Sequence, residues 1–165
     1  MDQPPRTPTG STDPRDLTGP FRHEVEIAVR FADTDAMGHV NNATYLTYCE
    51  GARLRYWTDV TREPITHGHG GAESLILAEA RITYRAQAFY GEVITVQTRA
   101  TRIGRSSFTL EHRLLAAAPG GQARLVAVSD SVLVRYDYAT ARPVSLSAEQ
   151  IAAIETFEGR PLTDR

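Results

Sequence analysis

Between Ala43 and about Val60 the chain carries a helical pattern with apolar and aromatic side chains on more than one face. Tyr45, Tyr48, Cys49, Ala52 and Tyr56 fall on one stripe at helical spacing, while Leu46, Leu54 and Trp57 lie off it. Thr44, Thr47, Glu50 and Arg53 make up the mixed side. A helix of this kind has to be covered from several directions. The segments that follow can supply the cover. Leu75–Phe89 alternates, with Ile76, Ala78, Ala80, Ile82 and Tyr84 expected inward against Glu79, Arg81, Thr83 and Arg85. Glu92–Ile103 and Ser107–Ala117 read as a hairpin through Gly104-Arg105-Ser106, and Ala123–Tyr136 reads as a central strand after the Pro119-Gly120-Gly121 turn. Ahead of the helix, Phe21–Phe31 alternates Val25, Ile27 and Val29 with Glu24, Glu26 and Arg30, a half-buried strand. Ser147–Thr156 is helix-like, with Ser147 as its cap. This order predicts an α+β protein, a curved antiparallel sheet wrapped around one long central helix.

A chain of 165 residues suits one domain with a real core. A formal net charge of −2 gives no reason to expect nucleic acid or an anionic membrane as partner. All 18 basic residues are Arg. Cys49 is the single cysteine, so no internal disulfide forms, and its place in the helical pattern marks it as a buried filler. No long apolar span is present, and a cytoplasmic location is the expectation. Residues 1–20 hold Pro4, Pro5, Pro8, Pro14 and Pro20 among small polar residues and are expected to be a disordered tail before a domain at residues 21–160. His67 and His69 sit in a Gly-rich loop; two such ligands without nearby Cys or carboxylates make a weak metal site, and none is expected.

Chemistry concentrates between the first strand and the helix. Asp33 to Asn42 read as a tight polar loop in which Gly38 is free to take positive φ. A carboxylate beside a helix N-terminus can act as base or nucleophile while the leading N–H groups hold developing negative charge. Asp33, at the strand end, is expected to bond the backbone, and Asn41 or Asn42 to cap the helix.

The run Asp33-Thr34-Asp35-Ala36-Met37-Gly38-His39-Val40-Asn41-Asn42-Ala43-Thr44-Tyr45 resembles the signature of hotdog-fold acyl-CoA thioesterases of the 4-hydroxybenzoyl-CoA thioesterase type. Its His-Val-Asn-Asn variant is similar to the branch acting on long-chain acyl-CoA and acyl-carrier-protein thioesters. The resemblance implies a hotdog fold and hydrolysis of an acyl thioester to acid and thiol. It implies no cofactor beyond the coenzyme A of the substrate. Asp35 matches the catalytic carboxylate, and Asn42, seven positions on, matches the residue whose amide opens the helix. Relatives with His at that position can use its ring, whereas Asn42 transfers no proton. His39 would orient Asp35 or bond the backbone. Asn41 and Tyr45 would meet the acyl group or water, and Arg102, Arg105 and Ser106 the phosphates of coenzyme A. Glu50 is expected to pair with Arg53 or Arg85. Asp130, interrupting an apolar strand, should be hydrogen-bonded. The expected assembly is a homodimer or dimer of dimers, sheets joined edge to edge. A hotdog dehydratase or hydratase, or a non-catalytic acyl-thioester binder, is the competing reading.

Overall fold

A computed structural model of the chain describes residues 19–65 and 73–163. Residues 1–18 of the expected tail at residues 1–20, and the pair His67 and His69, lie outside the described residues. Strand β1 (His23–Ala28) leads through a 3-10 turn (Phe31–Asp33) and the polar loop into helix α1 (Thr44–Thr61). Strands β2 (Glu73–Tyr84), β3 (Val93–Ile103), β4 (Ser107–Ala117) and β5 (Arg124–Asp137) follow, then the two-residue β6 (Arg142–Pro143) and helix α2 (Ala148–Glu158). The sheet is antiparallel in the order β1-β3-β4-β5-β2, with β6 paired to β5.

The alternation in β3 and β4 is expressed directly. Ile94, Val96, Thr98 and Ala100 face inward on β3 and meet Phe108, Leu110, His112, Leu114 and Ala116 on β4, all buried. On α1 the buried residues are Tyr45, Tyr48, Cys49, Ala52, Arg53, Tyr56 and Trp57, the expected stripe widened by Trp57 and Arg53. The core forms two clusters. One lies under the first half of α1, with Tyr45, Tyr48, Cys49, Ile94 and Leu114. The other joins Tyr56 and Trp57 to Phe108, Leu133 and Ile154 of α2. Two helices therefore share the covered face, the longer being α1 with 18 residues.

Ser147 caps α2 as expected, its hydroxyl accepting from Gln150 N–H. That helix also closes a polar gap in the sheet. The β3–β4 register shifts between Ala100 and Arg102, and the buried Glu158 carboxylate accepts the Ala100 N–H at 2.8 Å and the Tyr56 hydroxyl at 2.6 Å. An unmet buried N–H would cost about 1–3 kcal/mol. A second shift, between Leu77 and Glu79, corrects the face assignment of β2. Leu75, Leu77, Ala80, Ile82 and Tyr84 share the helix-facing side, while Ile76 turns outward with Glu79. The bulged extra residue, Ala78, ends the simple alternation that the sequence suggested.

Candidate active site

The loop between β1 and α1 is built around Asp33, which is 3% exposed. Its carboxylate accepts the Arg30 N–H at 2.9 Å, the Arg30 guanidinium at 2.7 Å and the Tyr48 hydroxyl at 2.9 Å. Its carbonyl accepts the Asn41 N–H at 2.8 Å. Strand end, helix and loop end thus meet at one buried anion. The Arg30 hydrogen bonds hold the Asp33 carboxyl below the usual carboxylate range.

Inside this frame the loop folds back on itself. Gly38 takes φ +78°, its N–H donates to the Asp35 carbonyl at 2.9 Å, and the Asp35 N–H donates to the His39 carbonyl at 3.1 Å. The Met37 N–H donates to Asp35 Oδ1 at 2.9 Å, an Asx-turn that fixes the carboxylate and leaves Oδ2 with no partner among the described residues. His39 places Nδ1 3.1 Å from the Val40 carbonyl, so it bonds backbone, and the Val40 N–H ties the loop to the Ala88 carbonyl at 2.8 Å.

The residue that precedes α1 is Ala43, which has no side-chain cap of its own. Asn41 does the capping: its Oδ1 accepts the Ala43 N–H at 2.9 Å and its carbonyl the Thr44 N–H at 3.0 Å. Asn42, by contrast, donates its N–H to no described residue, and its side chain is exposed. Asp35, His39, Asn42 and Tyr45 line one cleft of about 290 Å³, together with Tyr84 and Arg85 from the end of β2. Tyr45 is buried with its ring edge-on to Tyr84, centroids 5.4 Å apart. The residues lining the cleft thus bring together a carboxylate, a residue at a helix entry whose N–H has no described acceptor, and two aromatic rings. That set can activate water or attack a carbonyl carbon while polarising the carbonyl oxygen.

Tyr84 and Arg85 are among the cleft residues that sequence reasoning missed. The pattern gave Tyr84 its inward face but not its position opposite Asn42, which depends on how β2 docks against the helix entry. Arg102, Arg105 and Ser106 are not brought to this cleft within the chain. Arg102 lies near the end of β3, and Arg105 and Ser106 occupy the β3–β4 turn, where the Ser106 carbonyl accepts the Arg135 N–H and the Arg105 carbonyl the Leu146 N–H, both at 2.8 Å. That turn is the far end of β4, an 11-residue strand and so roughly 35 Å long.

The remaining candidates have structural surroundings. Glu50 is exposed and stands 3.6 Å from Arg53. Cys49 is fully buried, and burial pushes its thiol up to about 11, so it carries no thiolate at neutral pH. Asp130 lies outward on β5 between Glu111 of β4 and Arg81 of β2. Burial and then the Glu111 charge raise its carboxyl above the usual range. Contrary to expectation, it makes no hydrogen bond to a described residue; its register neighbours are the like charge of Glu111 and the unlike charge of Arg81, which opposes the rise. Among the described residues no three His, Cys, Asp or Glu side chains cluster as metal ligands, and no helix is long and apolar enough to cross a membrane.

Sheet order, the long helix entered through the Asp35 loop and the shorter closing helix define a hotdog fold. The chain belongs to the thioesterase-like superfamily, whose family model matches residues 29–154. Among solved structures it is similar to a thioesterase from Thermus thermophilus complexed with coenzyme A and Zn, at 34% identity and TM-score 0.71, covering 86% of this chain and 98% of that one. A 4-hydroxybenzoyl-CoA thioesterase complexed with 4-hydroxybenzoyl-CoA shares the fold at 19% identity and TM-score 0.70, over 79% of this chain and 96% of that one. Among curated proteins, a 1,4-dihydroxy-2-naphthoyl-CoA hydrolase of Synechococcus elongatus is 28% identical over 96 residues, 56% of this chain and 68% of the relative. The uncharacterized protein YsmA of Bacillus subtilis is 26% identical over 87 residues, 53% of this chain and 56% of the relative. The match thus spans little more than half the length of YsmA.

Proposed function

We propose that this protein hydrolyses an acyl thioester of coenzyme A, or of acyl carrier protein, to the free carboxylic acid and thiol. The observation that carries the reading is the pairing of the Asp35 carboxylate with the undonated Asn42 N–H in one cleft at the entry to α1. A thiolate is a good leaving group, so the reaction needs an activated water or a nucleophile and a donor for the carbonyl oxygen. Asp35 Oδ2 supplies the first, as general base or as nucleophile, and Asn42 N–H the second. His39 and Asn41 hold the loop and the helix entry around them, and Tyr45 walls the acyl group. The reaction consumes only water and calls on no cofactor. The coenzyme A bound in one relative and the 1,4-dihydroxy-2-naphthoyl-CoA named for another support this substrate class. The His39-Val40-Asn41-Asn42 run favours the branch that handles long-chain acyl groups.

Arg102, Arg105 and Ser106 join this reading through a second subunit. Strand β2 is a 12-residue edge strand, and Leu77 and Ala80 are exposed on its helix-facing side, where α1 does not reach. A long edge with open apolar side chains is a pairing surface. Antiparallel pairing of two β2 edges sets the Tyr84 end of one beside the Glu73 end of the other. Glu73 is ion-paired to Arg135, which bonds Ser106 through its backbone. The partner's β3–β4 turn then comes to the Asp35 cleft, in place to meet the phosphates of coenzyme A.

The test is a thiol-release assay over a panel of acyl-CoA thioesters, with Asp35→Asn as the control. The amide keeps an oxygen for the Met37 N–H, so the turn survives. Turnover should fall by about 10²–10⁴-fold, the usual contribution of a positioned base. Wild-type rates in the variant, or no thiol release from any thioester, would overturn the reading.

A further inference from the structure

Asn42 stands just before Ala43, the residue that opens α1, so its carbonyl lies outside the helix ladder. Here the Leu46 N–H turns to the Ala43 carbonyl at 3.1 Å, a tightened first turn. The Asn42 carbonyl is taken instead by the Tyr84 hydroxyl, which donates to it at 2.8 Å across 42 residues of chain. On the other side, the Asn41 N–H is held by the buried Asp33 carbonyl at 2.8 Å, and the Asn41 carbonyl takes the Thr44 N–H at 3.0 Å. The peptide that carries the Asn42 N–H is held at its own Asn41 carbonyl by the Thr44 N–H. The peptide after it is held at both ends, the Ala43 N–H by Asn41 Oδ1 and the Asn42 carbonyl by the Tyr84 hydroxyl, the one anchor that comes from outside this turn.

We propose that Tyr84 is a positioning residue for thioester hydrolysis: its phenol clamps the Asn42 carbonyl and so holds the Asn42 N–H open toward the cleft. The inference rests on the proposed hydrolysis and assigns a role that no motif in the sequence carries. Tyr84 touches no reacting atom in this scheme. It acts through the backbone of Asn42, and its ring, edge-on to Tyr45 at 5.4 Å, sets where the hydroxyl sits. A backbone donor contributes to catalysis only while it is aimed at the oxygen on which charge develops, and that aim is lost when its peptide is free to turn. Because the donor matters more in the transition state than in substrate binding, losing the clamp lowers kcat more than it raises KM.

The experiment is Tyr84→Phe, which keeps the ring against Tyr45 and removes only the hydroxyl. With the acyl-CoA that the wild type hydrolyses fastest, kcat should drop about tenfold, equal to about 1.4 kcal/mol of barrier, while KM changes less than twofold. In the free protein, the Asn42 amide resonance should shift and its hydrogen exchange quicken, while the Asn41 amide, still bound to Asp33, stays protected. Tyr84→Leu removes ring and hydroxyl together and should cost at least as much in kcat. An unchanged kcat in Tyr84→Phe overturns the proposal, and so does a rise in KM alone. If the wild type releases no thiol from any thioester, the functional reading fails. The Asn42 amide still separates the two failures: unmoved in Tyr84→Phe, it rules out the clamp as well, and displaced, it establishes the clamp while the hydrolytic role falls with the reading.

Discussion

Lowering the pH from 7 to 5 should remove about 2 kcal/mol of stability through His112 alone. The side chain is fully buried on the helix-facing side of β4, with Nδ1 3.0 Å from Thr98 Oγ1. Nε2 finds no partner among the described residues. Burial above all, then the positive charge of Arg53, pushes the imidazole down to about 3. The folded protein thus keeps His112 neutral across the physiological range, whereas the unfolded chain takes up a proton near pH 6.5. Between those two values the unfolded state binds more protons, so stability falls as the pH falls. The contribution is whole above the unfolded value and declines below it. A single site with these midpoints gives about 2 kcal/mol less at pH 5 than at pH 7. The assay is urea denaturation at both pH values for the wild type and His112→Gln. Carboxylates and the other histidines titrate in both proteins and cancel in the difference, leaving about 2 kcal/mol of pH sensitivity absent from the variant. Equal losses in the two proteins would refute the reasoning. Should His112→Gln fail to fold, the His112 ring resonances of the wild type answer the same question: they should not titrate between pH 8 and 5, and a midpoint near 6.5 would refute it.

Two further outcomes follow from the same contacts. Asp33→Asn leaves Arg30 without its ion-pair partner and should cost about 2 kcal/mol, seen as a fall in Tm of about 4–8 °C at neutral pH. Because the Asp33 carboxyl is held below its ordinary range, the difference between the two proteins should shrink as pH drops from about 4 through the lowered value, and a constant difference down to acid pH would contradict the pairing. Ala80→Arg puts a bulky charge on the open side of β2 and should convert a dimer to a monomer by sedimentation velocity; an unchanged mass would rule out pairing through this edge.

The elements near one another in the chain were legible from residue types. The β3–β4 hairpin followed from alternation around Gly104-Arg105-Ser106, and β4 spans the expected residues. Gly38 takes the positive φ that its loop suggested. Asp33 bonds the backbone, and Cys49 and Tyr45 are buried as their place on the helical stripe required. Of the two residues read as possible caps, Asn41 reaches forward to the Ala43 N–H, whereas Asn42 is left with its N–H open. Each of these depends on contacts within a few residues, where spacing and side-chain chemistry act directly.

What the linear order could not carry is which distant groups meet. Period-two alternation assigned Ile76 and Ala78 to the core side, and the bulge at Leu77–Glu79 reversed Ile76, because one extra residue flips every side chain before it. Glu158 closes the gap at Ala100, Thr98 joins His112, and Tyr84 reaches Asn42 only after the sheet has closed over α1. The separation of Arg102–Ser106 from Asp35 likewise follows from the length of β4. Local chemistry set the strand, the Asp35 turn and the helix. Packing decided what surrounds them, since long-range contacts are fixed by the burial of whole faces and not by any one residue's preference.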